Sequence, residues 1–490
     1  MKKNEYEVII GLEIHIQLTN LKTKLFCSCS SDYRDANPNT HVCPICLGLP
    51  GSLPVINKKA IEFATRLALA IDADINNDFW FFRKNYFYPD LPKGFQITQY
   101  DKAGGKAFAD GGKIQIKLNN HRKEIIKKEI LIDRIHLEED PARLIHKGSI
   151  ATSPYTLVDY NRSGITLIEV VTKPVLETPE EAREFLNQLK TIVKYTGIAD
   201  LDLEGSVRVD ANISIKGFNR AEVKNINSFK EVERALKWEI QRQKNLIKRG
   251  KQIEQETRHW DESNRITISL RKKEFEKDYR YFPEQNLVPI ELKQNFITNV
   301  KQALPEMPNE RIKRFQEGYE LSEFESEILV LDKALGDFFE KTIDINDSLS
   351  ENEFKQLSNW LKGDISRWLN EHNTSIDQTE LKPEQLINLI NYIEEGKITG
   401  KIAKTFIDDL MRGISVSKII QESGKKRLSN QDKLTNIAEV VIEENPEIVK
   451  DYESNPRAIE ALIGKCMQKT KGQADPSITR KLLEKLLEKN

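Results

Sequence analysis

Apolar and polar residues alternate along Val8 to Leu18, which reads VIIGLEIHIQL. Side chains of a β-strand point to opposite faces with a period of two, so one face of this segment would be aliphatic throughout. The other face would carry Glu13, His15 and Gln17. The pattern predicts a strand with a core face and a polar face. The polar face is either a solvated sheet surface or part of a ligand site.

The periodicity changes further along the chain. Helical spacing of three and four residues predicts a helix that contains Ile61, Ala64, Leu67, Ala68 and Ile71. From about residue 104 to 220, alternation and turns rich in Gly and Asn predict strands. Beyond residue 293, segments such as ERIKRFQEGYEL and NEFKQL return to helical spacing. The expected fold class is α+β, with a β-rich first part and a helical second part.

Composition places the chain among soluble proteins with a large core. Its 490 residues suggest about three domains, and 39% of them are hydrophobic while 31% are charged. The net charge of −1 argues against a globally basic nucleic-acid binder, so any such surface would be a local patch. There is no apolar run of about 18 residues, and the start MKKNEYEV leads directly into the first strand. We therefore expect neither a membrane span nor a secretory signal, and a cytoplasmic location.

Two close cysteine pairs predict a metal site in the segment 27–46. They are Cys27 with Cys29 and Cys43 with Cys46, separated by thirteen residues. In a reducing compartment this spacing is typical of a structural zinc ion with four protein ligands. His41 could replace one thiolate. The alternative is that these cysteines are free and packed as small hydrophobic residues, which is what we expect of the isolated Cys466.

The most aromatic segment, DFWFFRKNYFYPDLPKGFQITQYD, interleaves rings with Arg83, Lys84 and Lys93. Rings such as those of Tyr86 and Tyr88 can stack on unpaired bases while cations bind phosphates. The segment is therefore either a grip for a single-stranded nucleic-acid end or a core strand with its turn.

Several predicted strands carry polar residues opposite their apolar faces. Glu138, Glu139 and Asp140 are consecutive and are followed by Pro141. Adjacent carboxylates repel one another, so such a cluster is either solvated or held by a cation such as Mg²⁺, which prefers oxygen ligands. Further polar positions are Asp159, Asn161, Arg162, Glu169, Arg208, Asp210, Asn212 and Glu222. Each alone fits a polar sheet face, but together they favour one pocket.

Carboxylates with one histidine and nearby arginines suit Mg²⁺ together with a nucleoside triphosphate. The chain contains neither GxxxxGK[ST] nor a GxGxxG that follows a strand. If ATP binds, the site is therefore of an uncommon type.

The order of motifs resembles the B subunit of the aspartyl/glutamyl-tRNA amidotransferase, the GatB family. The motifs are GLEIHIQL, CPICLGLPGSLP, RKNYFYPDLPKGFQITQYD, HLEED, VDYNRSG, LIEVVTKP, GSVRVDANIS, EVKNINSF, QETRHWDE, DYRYFPE, PEMPNERIKRF, LSNWL, GKITGKIAK and KCMQKTKGQADP. They span essentially the whole chain. Three strings depart from the family pattern: PAR after HLEED, SGIT, and QN after DYRYFPE. These departures affect contacts near Arg143 and one pocket loop, but they remove no proposed ligand.

The resemblance implies a mainly antiparallel β cradle as catalytic domain with a zinc knuckle, over residues 1–293. An all-α helical domain over 294–404 and a small helical YqeY-like tail over 405–490 would follow. The tail would contact tRNA, and its lysines 465, 469 and 471 are candidates for that contact. A solvated helix face is the alternative for any lysine-rich helix.

The resemblance also implies a heterotrimer with an amidase-type A subunit that frees ammonia from glutamine and a small C subunit. The B subunit would phosphorylate the side-chain carboxylate of Glu-tRNA(Gln) or Asp-tRNA(Asn) with ATP, and ammonia would then displace phosphate. A carboxylate is a poor electrophile until one oxygen becomes a leaving group. ATP as a substrate, Mg²⁺ and a structural Zn²⁺ are thus expected.

The family's magnesium positions correspond to five residues here, which are expected to act in catalysis with the adjacent Glu138: Glu13, His15, Glu139, Asp210 and Glu222. The candidate substrate-binding residues are Arg83, Lys84, Tyr86, Tyr88, Asn161, Arg162 and Arg208. The candidate zinc ligands are Cys27, Cys29, Cys43 and Cys46.

Two other functions remain open from the sequence. The chain could be a non-catalytic, zinc-bearing, tRNA-binding scaffold of the same complex, or a complete glutamine-dependent ligase. The second is disfavoured because glutamine hydrolysis needs an activated nucleophile, and we find no Gly/Ser-rich amidase segment. The isolated chain is therefore expected to be unable to use glutamine.

Overall fold

A computed structural model describes residues 6–102, 104–119, 124–146, 153–272, 276–345, 350–423, 431–470, 474 and 476–487. The strands are β1 (Val8–Gln17), β2 (Asp74–Ile75), β3 (Asp78–Phe79), β4 (Phe82–Asn85), β5 (Phe95–Thr98), β6 (Ala109–Asp110), β7 (Lys113–Asn119), β8 (Ile125–Glu139), β9 (Arg143–His146), β10 (Thr156–Asp159), β11 (Thr166–Thr172), β12 (Val207–Ile215), β13 (Ala221–Ile226), β14 (Glu256–Asp261), β15 (Ile266–Lys272), β16 (Phe282–Pro283) and β17 (Ile290–Glu291). The helices are α1 (Lys58–Ala70), α2 (Pro179–Thr196), α3 (Phe229–Lys248), α4 (Gln294–Gln302), α5 (Pro308–Tyr319), α6 (Glu323–Leu331), α7 (Lys333–Asp344), α8 (Glu351–Trp360), α9 (Ser366–Glu371), α10 (Pro383–Glu394), α11 (Gly400–Lys404), α12 (Ile407–Met411), α13 (Val416–Ser423), α14 (Gln431–Glu444), α15 (Pro446–Ser454), α16 (Ile459–Lys469) and α17 (Pro476–Leu487).

One large sheet organises the first part of the chain. Its strand order is β15-β14-β13-β12-β1-β11-β8-β6-β2, and β7 also pairs with β8. The pairs are antiparallel except for β13 with β14. Strand β1 is central, since β11 and β12 flank it. The expected α+β class, with a large sheet followed by helices, is confirmed.

The two faces of β1 divide as the alternation predicts. The side chains of Ile10, Ile14 and Ile16 are fully buried in the core. Helices α1, α2 and α3 supply much of the remainder of this core, for example Phe185 of α2. Glu13 and His15 lie on the opposite face and are only partly buried. The sheet is thus anchored by one face, and its other face is free to carry polar groups.

Helix α1 confirms the predicted helix, but the expectation of strands from 104 to 220 is wrong at α2. Thr178 caps α2 by accepting a hydrogen bond from the backbone of Glu181, and Pro179 occupies the first turn. These are strong helix-start signals. Phe185 and Leu189 then follow at helical spacing and are buried. The polar residues before Phe185 resemble a turn between strands, which explains the wrong prediction. The capping residues in the same segment favour the helix that the structure shows.

The chain divides into two compact units, Met1–Met307 and Pro308–Asn490. Helix α4 lies beyond residue 293, yet its Ile297 belongs to the core of the first unit. The second unit is helical in the residues described, as expected. The finer boundaries at 293 and 404 stay predictions.

The C-terminal helices pack around the thiol of Cys466, which is 1% exposed. This confirms that Cys466 is an ordinary packed thiol. On the same helix Lys469 forms an ion pair with Glu444 at 2.6 Å, Lys465 is exposed, and Lys471 lies outside the described residues. None of the helices described has both the length and the apolar character that a membrane span needs.

Candidate active site and metal centre

The polar face of the sheet brings together a first donor group that consists of His15, Glu138 and Glu169. His15 of β1 pairs in register with Glu169 of β11. Strand β8, which carries Glu138, lies next to β11 in the sheet. His15 Nε2 lies 3.6 Å from a Glu169 oxygen and 3.7 Å from a Glu138 oxygen. One ligand atom from each residue lies within 4.8 Å of the others. Three donors from three strands can therefore reach one ion.

The carboxylates of the first donor group favour the protonated form of His15. Burial alone would lower the pKa of His15, but contact with the Glu169 carboxylate and the charge of Glu138 raise it to about 9. The pKa of Glu169 lies below its ordinary range, because the contact with His15 outweighs burial. Burial and the charge of Glu169 raise the pKa of Glu138. The group thus favours a positive charge at this position, and a metal ion bound here would replace the His15 proton, since imidazole binds a metal only in its neutral form.

A second donor group, Glu13, Asp210 and Glu222, lies on the neighbouring strands β1, β12 and β13. Glu13 is the register partner of Asp210, and its Oε1 accepts a hydrogen bond of 3.0 Å from Asn212. Ligand atoms of the three carboxylates also lie within 4.8 Å of one another. Because Glu13 and His15 are two residues apart on β1, the two groups are one strand repeat from each other.

Lys224 partly neutralises the second group. Its Nζ lies 3.1 Å from Asp210 Oδ2 and 3.4 Å from Glu222 Oε1. Burial would raise the pKa of Asp210, but the charge of Lys224 lowers it below its ordinary value. Burial and the neighbouring carboxylates raise the pKa of Glu13. The two groups therefore differ in their close cationic partner, which is the Lys224 ammonium in the second group and the His15 imidazole in the first.

The structure does not bring Glu139 to either donor group. Adjacent strand residues point to opposite faces, so Glu139 points away from Glu138. It forms an ion pair with Lys93, and its Oε1 accepts a hydrogen bond of 2.8 Å from the backbone of Ile97. Glu139 lines a cavity of about 200 Å³ whose other lining residues include Arg83, Lys93, Glu284 and Asn286. Asn286 belongs to the unusual QN pair, so that departure does lie on a pocket wall. Neither donor group lines this cavity.

The four aromatic-segment candidates lie in different environments. Arg83 forms a two-point ion pair with Glu284, with nitrogen to oxygen distances of 2.6 and 2.9 Å. The Lys84 ammonium lies 4.9 Å from the ring centre of Tyr279, and the ring of Tyr86 meets Tyr279 edge to face. Tyr88 is 57% exposed.

Lys84 interacts electrostatically with Glu138 and Glu169 of the first donor group. Burial opposes its charge, but Tyr86 and the carboxylate of Glu138 raise the pKa of Lys84 above its ordinary value. A charged ammonium therefore lies near the first donor group. It is a candidate for contact with an anionic substrate.

Two of the other three candidates hold loops together. Asn161 Oδ1 accepts a hydrogen bond of 2.7 Å from the backbone of His41, and its Nδ2 donates to the carbonyl of Asn37. Arg162 donates to the carbonyls of Pro141 and Ala142. These contacts hold the turn that leads into β11 against the neighbouring loops. Their role in binding substrate stays a prediction.

Arg208 lies beside the first donor group, because it is the register partner of His15. Its Nη2 donates to Asp140 Oδ1 at 2.7 Å, and Gln17 Nε2 donates to the other oxygen of Asp140 at 2.8 Å. Asp140 is 1% exposed. Its pKa lies below the ordinary range despite burial, because Arg162 and Arg208 face it. From the sequence, Asp140 belongs with Glu138 and Glu139 to a carboxylate cluster that is solvated or held by a cation; in the structure Asp140 is buried and paired with Arg208.

The four cysteines form a compact group that fits zinc. Their sulfur atoms all lie within 4.8 Å of one another, and the Sγ atoms of Cys43 and Cys46 are 3.8 Å apart. A tetrahedral zinc with Zn–S bonds of about 2.3 Å has sulfur atoms about 3.8 Å apart. A hydrogen bond from Cys27 and the charge of Lys24 lower the pKa of Cys46 to about 4 against the effect of burial. His41 is not part of this group.

Comparison with known proteins extends over nearly the whole chain. The family model described as the GatB/GatE catalytic domain matches residues 8–298, and the one described as the GatB domain matches residues 337–487. The B subunit of the aspartyl/glutamyl-tRNA(Asn/Gln) amidotransferase of Sulfurisphaera tokodaii is 45% identical over 482 residues, which cover 98% of this chain and 99% of that protein. The corresponding protein of Thermotoga maritima is 42% identical over 493 residues, and that of Carboxydothermus hydrogenoformans is 41% identical over 494 residues, each covering 99% of both chains. The chain therefore belongs to the family of aspartyl/glutamyl-tRNA(Asn/Gln) amidotransferase B subunits.

Proposed function

We propose that this chain is the component of a tRNA-dependent amidotransferase that activates the aminoacyl side chain and forms the new carbon–nitrogen bond. Its substrates would be Glu-tRNA(Gln), Asp-tRNA(Asn) or both. The amide nitrogen would be ammonia that an amidase-type A subunit releases from glutamine, with a small C subunit completing a cytoplasmic heterotrimer. The names of the relatives support this assignment.

The observation that carries the proposal is the pair of donor groups on the polar face of the sheet. Glu138 and Glu169 offer carboxylate oxygens, the ligand type that Mg²⁺ prefers, and His15 in its neutral form offers a nitrogen beside them. Mg²⁺ bound there would neutralise charge on the phosphates of ATP. Lys224 keeps its charge beside the second group, whereas His15 can release its proton and become a ligand, so we assign the tighter ion to the first group.

Activation has a clear chemical purpose in this reaction. A carboxylate oxygen of the aminoacyl side chain attacks the γ-phosphorus of ATP, which gives an acyl phosphate and ADP. Ammonia then attacks the carbonyl carbon, and inorganic phosphate leaves. Lys84 and Arg208 are placed to bind phosphate oxygens, since both lie near the first donor group and carry charge there.

We assign the cysteine group to a structural zinc ion. All four ligand positions come from the protein, which is typical of structural sites. The zinc knuckle, defined as residues 27–46, is joined to the turn before β11 by the contacts of Asn161 with His41 and Asn37. The ion would thus support one wall of the reaction site without contacting the substrate.

The proposal is tested with the purified chain and with the assembled heterotrimer, using misacylated tRNA, ATP and either glutamine or ammonium chloride. We expect the heterotrimer to form one ADP for each amide with either nitrogen source. The isolated chain should hydrolyse no glutamine, because that step needs an activated nucleophile and the sequence contains no Gly/Ser-rich amidase segment.

Two outcomes would contradict the proposal. Glutaminase activity of the isolated chain would favour a complete glutamine-dependent ligase. Amide formation that consumes no ATP, or that persists unchanged when both donor groups are removed, would favour a non-catalytic tRNA-binding scaffold.

A further inference from the structure

Lys24 is a lysine with no exposed surface, which is rare for this residue type. Its relative exposure is 0%, and it lies among the largest fully buried side chains of the described chain. Lysine is almost never fully buried unless it is paired, because removing an ammonium from water is strongly unfavourable. The position therefore requires a partner for the positive charge.

The partners that the structure gives Lys24 both belong to the zinc knuckle. Its Nζ donates to the carbonyl of His41 at 2.8 Å and lies 3.7 Å from the Sγ of Cys46. Among the described residues, no carboxylate lies within the 4.0 Å ion-pair distance of this ammonium. The Glu139 carboxylate, which also borders this region, is paired with Lys93. The counter-charge of Lys24 is thus a cysteine sulfur.

The lysine stem packs against the turn before β11 as well as against the cysteine segment. Gly164 has a φ of +84°, and a methyl group there would lie 3.4 Å from Cys46 Cβ and 3.6 Å from Lys24 Cδ. The Ser163 hydroxyl also donates to the carbonyl of Cys46 at 3.2 Å. The stem is therefore enclosed between the knuckle and the turn before β11, and its ammonium is directed at the sulfur group.

A zinc ion with four thiolate ligands carries a net charge of about −2, and burying such a charge is unfavourable unless it is compensated. We propose that Lys24 is a positioning residue of the zinc site, whose buried ammonium compensates the charge of the zinc–thiolate group and so sets its affinity for the metal. The inference rests on the proposed zinc site, but it does not depend on the amidation chemistry.

The test compares zinc affinity of the full chain and two variants by competition with a chelator of known affinity. Lys24→Met removes the charge and keeps a long side chain. Lys24→Gln also removes the charge but keeps an N–H donor for the His41 carbonyl. We expect both to bind zinc at least tenfold more weakly than the original chain, with no change in Lys22→Met, since Lys22 is exposed on the same segment.

The outcomes separate the claims. If both variants bind zinc as tightly as the original chain, or if only Lys24→Met is weakened, charge compensation is wrong. If the original chain binds no zinc, the zinc site and the role of Lys24 both fail, while the proposed amidation is untouched.

A measurement on the unaltered chain covers the case in which the variants do not fold. Amine acylation followed by mass spectrometry reports how often each lysine is reachable. With zinc bound, Lys24 should be protected. Removal of zinc by a chelator should raise its labelling at least tenfold, because the freed thiolates take up protons and the negative charge beside the ammonium is lost. Lys22 should label equally in both states. Equal protection of Lys24 with and without zinc would contradict the proposal.

Discussion

Glu169→Gln is expected to lower ATP-dependent amidation by the assembled heterotrimer at least about 100-fold. The substitution keeps the shape of the side chain but removes the carboxylate that lies 3.6 Å from His15 Nε2. The amide that replaces the Glu169 carboxylate would be a weaker metal ligand, and the negative charge that interacts with His15 would be lost. The measurement is the rate of amide formation on misacylated tRNA at saturating ATP and ammonium chloride.

The control for this variant is Glu254→Gln, because Glu254 is an exposed glutamate of the same unit. It should amidate at the original rate. Both variants should co-elute with the proposed A and C subunits on size-exclusion chromatography, which shows that the complex has assembled. If Glu169→Gln amidates within twofold of the original rate, the first donor group is not the reaction site.

The second large effect is a contrast between two adjacent residues. Glu138→Gln is expected to weaken Mn²⁺ binding at least tenfold, since Glu138 belongs to the first donor group. Glu139→Gln should change Mn²⁺ affinity by less than about twofold, because Glu139 is paired with Lys93 on the other face of β8. Titration with Mn²⁺ followed by electron paramagnetic resonance measures both affinities.

Each variant serves as the matched control for the other, because the change in charge and volume is identical. A larger loss of Mn²⁺ binding in Glu139→Gln than in Glu138→Gln would restore Glu139 as a metal ligand. That result would require the end of β8 to shift by one residue against β11, so that Glu139 and not Glu138 lies on the face that carries His15.

The alternation of polar and apolar residues within one strand predicts which side chains of that strand reach the site. The alternation in VIIGLEIHIQL places Glu13 and His15 opposite the core, and the structure agrees. The same rule along IHLEED groups Glu138 with His136 and Glu139 with Leu137. Resemblance to the family pointed to Glu139 as a ligand, whereas strand parity favours Glu138. The structure places Glu138 in the first donor group, as strand parity favours, and the assignment of Glu139 as a metal ligand stays a prediction.

Contacts between distant segments could not be predicted in the same way. Glu169 faces His15 because β11 pairs with β1 in a specific register, and neither the strand order nor the register can be obtained from either segment alone. Two further ion pairs depend on the same strand order, namely Lys224 with Asp210 and Arg208 with Asp140. The cysteine group was predictable because its spacing is a chemical signature, but the approach of Lys24 to Cys46 was not.

The most direct test of the central claim is a crystal structure of the chain with Mn²⁺ and a non-hydrolysable ATP analogue, in which anomalous scattering locates the ion. We predict an anomalous peak within about 2.5 Å of His15 Nε2 and of oxygens from Glu138 and Glu169, with the γ-phosphate of the analogue on the same face of the sheet. A peak beside Glu139 in the cavity near Lys93, or ordered nucleotide with no ion at the first donor group, would contradict the account.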